Sequence, residues 1–167
     1  MLYLRVNKMN IFVLDKDPKV AAVQQFDKHV VKMVLESAQI LCAAFPDGAA
    51  PYKRTHYNHP STVWARTCKS NYRWLLRHGL ALAEEYTRRY EKTHKSQSVI
   101  EWCAVGLEEI DFLENDLEGL TPFAQAMPEE YKCDNAVDAY RSYYIGEKNK
   151  IASWARSPDG PPDWWPI

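Results

Sequence analysis

Apolar residues recur at helical spacing along most of the chain, and no stretch alternates with period two. Val20, Val23, Phe26, Val30, Val34, Leu41 and Phe45 form one such series, ended by PDGAAP at residues 46–51. Asp17-Pro18 is a good start for it, an N-cap followed by proline in the first turn, and a bend near Asp27 fits the pattern. Residues 46–59 read as a loop. His59-Pro60-Ser61 then opens a short helix through Trp64, since a residue before proline prefers an extended backbone. A long helix begins at Ser70 and carries Tyr72, Leu75, Leu76, Leu80, Ala83, Tyr86 and Tyr90. Another is predicted from Ser96 or Ser98 to about Asn115, and a last one from an Asp134 cap to about Trp154. Residues 9–15, MNIFVLD, read as a short extended segment, and 157–167 as an irregular, proline-rich tail. The expected fold is mainly α: a single domain spanning 1–167, a bundle of about five helices, with 1–9 readable as a dispensable N-terminal extension if Met9 is the true start.

The composition is that of an ordinary globular domain, 46% apolar and 26% charged. No apolar run approaches the roughly 18 residues that span a bilayer, and the N-terminus lacks the pattern of a signal peptide. A cytoplasmic protein with no membrane partner is therefore expected. The four cysteines are widely spaced, which argues for reduced thiols and against a cysteine-based zinc site.

A net charge of −1 conceals strong segregation. Residues 52–95 carry ten Lys/Arg against three Glu, residues 101–138 eleven Asp/Glu against one Lys, and residues 139–156 four Lys/Arg against one Glu. Such asymmetry suits a polyanion-binding face with an acidic face able to dock on a basic host protein. It equally suits basic and acidic helices that pair with each other.

Three segments concentrate groups capable of chemistry. In DKHVVKMVLESAQ, residues 27–39, the side chains of His29, Lys32, Glu36 and Gln39 continue a helical stripe from Gln25. An imidazole, an amine and a carboxylate on one face could perform acid–base or amine chemistry. A solvated face with a Lys32–Glu36 pair gives the same pattern. Asp27, next to Phe26 and one turn from Val30 and Val31, suggests a partly buried, paired carboxylate. In KRTHYNHPSTVWAR, residues 53–66, Lys53, Arg54, His56, Asn58, His59, Trp64 and Arg66 surround a helix N-terminus, an arrangement suited to phosphate or to a plain histidine cap. His56 and His59 with Cys68 could be read as metal ligands, but an HxxH pair on a loop leaves the set incomplete. Neither a metal nor a cofactor is expected. In residues 139–156, Tyr140, Tyr143, Tyr144 and Trp154 interleave with Arg141, Lys148, Lys150 and Arg156, the parts of a nucleic-acid surface, with some of the tyrosines expected in the core. Trp164 and Trp165 most simply staple the tail onto the domain.

The segments MNIFVLDKDP, DKHVVKMVLESAQ, YKRTHYNHPSTVWAR and AYRSYYIGEK together resemble a group of small phage-encoded proteins of unassigned function, which would place the protein in a host cytoplasm. Two elements, Tyr57-Asn58-His59-Pro60 and the Tyr-Arg-x-Tyr-Tyr-x-Gly-x-Lys run from Tyr140 to Lys148, also resemble the pyrimidine-dimer DNA glycosylases. That resemblance implies a small helical enzyme that flips a nucleotide from duplex DNA and attacks its sugar with an amine through a Schiff base. In that family the amine is the chain's own N-terminus after methionine removal. Leu2 after Met1 and Asn10 after Met9 both disfavour that trimming, which moves the role to Lys32 or Lys28.

The resulting expectation is a protein acting on DNA or a nucleotide at an N-glycosidic bond or abasic sugar. Lys32 would be the amine, Glu36 or Asp27 the carboxylate, and His29 or His59 the proton carrier. Residues 53–66 and 140–148 would bind the nucleic acid. The alternatives are a non-catalytic module for nucleic acid, nucleotide or host protein, and a nucleotide-processing enzyme with its phosphate at the Pro60 helix.

Overall fold

Asp17 starts the first helix as predicted: its carboxylate accepts from the backbone N–H groups of Lys19 and Val20, and Pro18 occupies the first turn. In the computed structural model, which describes residues 9–166, this helix is α1, Pro18–Val23. The chain breaks at residues 24–26 and resumes as α2, Asp27–Cys42, so the predicted bend near Asp27 is a full interruption. The remaining helices are α3 (Pro60–Thr67), α4 (Lys69–Tyr90), α5 (Gln97–Val105) and α6 (Ala136–Glu147), with single 3-10 turns at Leu107–Glu109 and Glu129–Tyr131. No strand occurs among the described residues, and the mainly α architecture is as expected. The proposed extension 1–9 lies outside the described residues apart from Met9.

The 22-residue α4 is the central element, packed against α1, α2, α3 and α5 around one hydrophobic core. Residues 9–14 enter that core as an extended segment, with Met9, Ile11, Phe12, Val13 and Leu14 all buried. Its backbone polar groups have no sheet to pair with, so side chains from elsewhere meet them. Gln25 Nε2 donates to the Ile11 carbonyl at 3.2 Å, and Arg141 Nε to the Leu14 carbonyl at 2.9 Å. The Asn10 side chain accepts from the N–H groups of Ile11 and Phe12 and donates to the Ala126 carbonyl. These bonds hold Phe12 at φ 58°, a left-handed conformation rare for a bulky residue.

Two helices stop earlier than their sequence suggests. The fifth ends at Gly106, not Asn115, where an added Cβ would lie 2.9 Å from the Phe45 ring. The sixth is capped by Asn135, whose side chain accepts from the Asp138 N–H, and stops at Glu147, not Trp154. Beyond it the chain turns back so that the Ser153 carbonyl accepts from the Asp27 N–H, and Trp154 Nε1 donates to the Gln24 carbonyl. The tail is irregular and is fastened by Trp164, whose Nε1 donates to Gln24 Oε1, and by Trp165 against Trp154.

Candidate active site around Glu36

Helix α2 sets a line of polar groups against the aromatic end of the core. His29 and Glu36 are each only 6% exposed, so these two are not part of the solvated face that the stripe's pattern favours. The predicted Lys32–Glu36 ion pair is absent. Glu36 has no hydrogen bond or ion pair to any described residue. Burial raises its carboxyl to about 7, and the nearby charges of Lys32 and Lys148 pull weakly the other way. A carboxyl poised near neutrality can both give and take a proton.

His29 is enclosed by rings: its imidazole stacks on Phe26 at 3.9 Å and lies 4.2 Å from Phe12. Its Nδ1 is 2.7 Å from the Tyr144 hydroxyl. Burial, reinforced by Lys148 and Lys32, holds His29 well below the usual histidine range, so it is neutral at pH 7.

Lys148 is the group that sequence reasoning placed among phosphate binders and not in the reacting set. It follows the end of α6, half-buried, with Nζ 5.2 Å from the Tyr143 ring centre and 5.9 Å from that of Phe12. Burial lowers its pKa first, and Lys32 adds to this, against the opposing pull of Glu147 and Glu36. The signal in the sequence was the Tyr-Arg-x-Tyr-Tyr-x-Gly-x-Lys run, but only folding brings residue 148 to α2. Phe12 was not anticipated at all. The structure thus gathers Phe12, His29, Glu36, Tyr143, Tyr144 and Lys148 around one spot, with exposed Lys32 at its edge.

Other anticipated residues lie elsewhere. Asp27 is the partner of Arg89 at 3.1 Å, and its other oxygen accepts from the Arg156 N–H. Arg89 also bonds Glu85 and the carbonyls of Val23 and Gln25, so Asp27 is held in an interior network. Gln25 sits in the break before α2, facing His78, and leaves the stripe. His59 caps α3: its Nδ1 accepts from the Ser61 N–H at 3.1 Å, so the helix N-terminus proposed for phosphate already holds a side-chain cap. Trp64 packs on Trp74 and Phe123. Tyr140 and Tyr144 are fully buried and cannot stack on a base in this conformation, while Tyr143 lies at the margin of the core. Arg141 bonds the Leu14 carbonyl and Asp15. Arg66 donates to the Tyr57 carbonyl, and the Arg66 and Arg54 guanidinium groups both lie over the Tyr57 ring, 3.7 and 4.1 Å from its centre. Lys53, His56 and Asn58 are exposed on the same loop.

No group of three His, Cys, Asp or Glu side chains among the described residues could hold a metal ion. No described helix is long and apolar enough to cross a membrane. The acidic and basic segments meet through the Lys69–Glu108 pair at 2.8 Å, which leaves most of the charge of both segments unpaired with the other.

A family model described as pyrimidine dimer DNA glycosylase matches residues 9–98. The match covers the extended segment and α1 to α4, and so His29, Lys32, Glu36 and the Tyr57–Pro60 element. The run from Tyr140 to Lys148 lies outside it. No curated protein and no solved structure matches the chain.

Proposed function

The chain belongs to the pyrimidine dimer DNA glycosylase family, and from that premise we propose that it removes a damaged base from DNA through an amine-linked sugar intermediate, with Glu36 as the central acid–base group. The observation that carries this reading is the buried Glu36 carboxyl, free of any described hydrogen bond or ion pair, beside two lysine amines. A carboxyl so shielded from water and without a hydrogen-bond partner is costly to ionise, which keeps it partly protonated near neutrality. Functional sites are where such costs are tolerated.

Lys148 suits the amine better than Lys32. Attack requires a neutral amine, and the apolar surroundings of Lys148, with a second cation nearby, favour its uncharged form. Its Nζ forms a bond to sugar C1′ as the glycosidic C1′–N bond breaks, and the base leaves with the bonding pair and takes one proton from the new ammonium. Protonated Glu36 gives its proton to O4′ as the ring opens, leaving a protonated imine between Nζ and C1′. The carboxylate so formed takes a proton from C2′, and the 3′-phosphate departs by β-elimination. Water then hydrolyses the imine. The target nucleotide must be extrahelical, because a sugar within the duplex cannot reach a recessed carboxyl.

Borohydride reduction in the presence of dimer-containing and abasic duplexes tests this reading. It should trap a covalent adduct, and peptide mapping should place the adduct on Lys148. An adduct on Lys32 or on the α-amino group would move the amine and keep the reaction. No adduct with either duplex would sink the proposal.

A further inference from the structure

Lys32 also belongs to a second feature, an open cavity of about 800 Å³ whose lining takes Val31, Lys32, Leu35 and Gln39 from α2. Four cations enter its lining from three separate segments: Lys32 from α2, Lys53 and Arg54 from the 46–59 loop, and Lys95 from the α4–α5 connection. No aspartate or glutamate lines it. Lys32, Lys53 and Lys95 make no hydrogen bond or ion pair with any described residue. Cations that converge with no carboxylate in the lining between them repel one another, and an anion there relieves that repulsion.

The floor is apolar. Val31 and Leu35, 39% and 41% exposed, face solvent from α2 within this basic setting. The walls are fixed in advance of any ligand. His94 Nε2 bonds the Val31 carbonyl at 2.8 Å, and its Nδ1 accepts from the Ser96 N–H. Ser96 Oγ meets the Tyr52 hydroxyl at 2.8 Å, and Arg54 is held by the carbonyls of Ala43 and Phe45. A preorganised concavity of this size, with an apolar floor and a cationic rim, has the chemistry of a site for an aromatic base that carries phosphate.

We propose that this cavity binds a nucleoside phosphate, with its base on Val31 and Leu35 and its phosphate among Lys32, Lys53 and Lys95. The nucleotide is either free or one unit of a DNA strand, and the chemistry is the same. The inference deepens the glycosylase reading by giving Lys32 a binding role beside the reacting site, and it rests on that reading only if the nucleotide comes from DNA.

The test is calorimetric and NMR titration of the full chain with thymidine monophosphate, thymidine, inorganic phosphate and oligothymidylate. The monophosphate should bind at least about tenfold tighter than thymidine or phosphate, with amide shifts at Val31, Leu35 and Lys53. The Lys53→Ala/Lys95→Ala double variant and, separately, Leu35→Ser should each weaken it by about tenfold. Both sites are exposed, so folding should survive, and unchanged circular dichroism checks this. Equal affinity for phosphate and monophosphate, or binding indifferent to these substitutions, would overturn the proposal. Competition between oligothymidylate and the monophosphate assigns the site to a DNA strand, and absence of competition assigns it to a free nucleotide. Glu36→Gln should bind the monophosphate as the parent does. Loss of borohydride trapping with monophosphate binding intact removes the reaction alone, and the converse removes the cavity alone.

Discussion

The Tyr144 hydroxyl lies 2.7 Å from His29 Nδ1, and both side chains are shut inside the aromatic end of the core. The His29 ring is neutral, so its tautomer sets the direction of this bond: Nδ1 accepts from the hydroxyl when Nε2 carries the ring proton, and donates to it when Nδ1 does. Tyr144→Phe keeps the ring packing but leaves Nδ1 buried without its partner. The expected cost is about 1–3 kcal/mol in denaturant unfolding at pH 7.5. The 15N shifts of His29 should change from one fixed tautomer toward a mixture. Unaltered shifts would mean that the Tyr144 hydroxyl does not set the His29 tautomer.

Glu36→Gln should abolish turnover and yet stabilise the protein at alkaline pH. The folded-state pKa is raised from 4.5 to about 7, so the folded state binds more protons than the unfolded state between those values. Stability contributed by this group is full at low pH and is lost as pH rises to about 7. Glutamine removes that loss, with an expected gain on the order of 2 kcal/mol at pH 8, or about 5 °C in Tm. Near pH 4 the gain should vanish. A variant less stable than the parent at pH 8 would mean that the carboxylate has a partner that compensates its burial.

The histidines act in the opposite sense. Burial lowers His78 to about 4 and holds His29 well down, while unfolded histidine titrates near 6.5. Below pH 6.5 the unfolded chain takes up protons that the folded chain refuses, so stability falls as pH falls, until about 4 for His78. Each group contributes a slope on the order of 1 kcal/mol per pH unit. In the parent, Glu36 offsets part of this slope between pH 4.5 and 7. The Glu36→Gln variant should therefore lose stability more steeply than the parent over that interval, measured as denaturation midpoints at pH 7, 6 and 5.

The sequence made the helix starts legible because proline and its preceding cap act locally, as at Asp17-Pro18 and His59-Pro60. The helix ends were not, because distant contacts set them. Phe45 crowds Gly106, and the residues after Glu147 leave helical geometry to meet Asp27 and Gln24. The site was half legible for the same reason. Helical spacing put His29, Lys32 and Glu36 on one side of α2, but spacing cannot tell a wetted carboxylate from a buried one. What buries Glu36 and His29 lies more than a hundred residues away in sequence at Tyr144 and Lys148, or is the unusual backbone turn at Phe12. Tyr140 and Tyr144 show the converse: a tyrosine–cation alternation that resembles a base-stacking surface serves here as core, with hydroxyls spent on Ala124 and His29.

Asp27 and Arg89 separate structure from chemistry. Arg89 has no exposed side-chain area and satisfies Glu85, Asp27 and two backbone carbonyls at once. Arg89→Met should cost about 3–5 kcal/mol, since it strands two carboxylates, and lysine should not rescue it because one ammonium cannot serve that fork of acceptors. Asp27→Asn should destabilise less and should still yield a borohydride-trapped adduct once folded. Loss of trapping in a folded Asp27→Asn protein would return Asp27 to the reacting set.

Lys148→Arg isolates the amine from its charge. Arginine preserves the cation beside Phe12 and Tyr143, and therefore any phosphate attraction, but it stays protonated and cannot form an imine. Activity on a dimer-containing duplex should fall by at least about a hundredfold in kcat, with duplex affinity and its salt dependence nearly unchanged. Lys32→Ala should show the reverse pattern, weaker binding and a shallower salt slope with trapping retained, because that exposed side chain lines the basic cavity. In the parent, the rate should rise with pH as Lys148 deprotonates and fall once Glu36 is ionised, giving a bell whose acid and base limits belong to the pair. Full activity in Lys148→Arg would transfer the nucleophile to another amine and leave Lys148 as an electrostatic neighbour of Glu36.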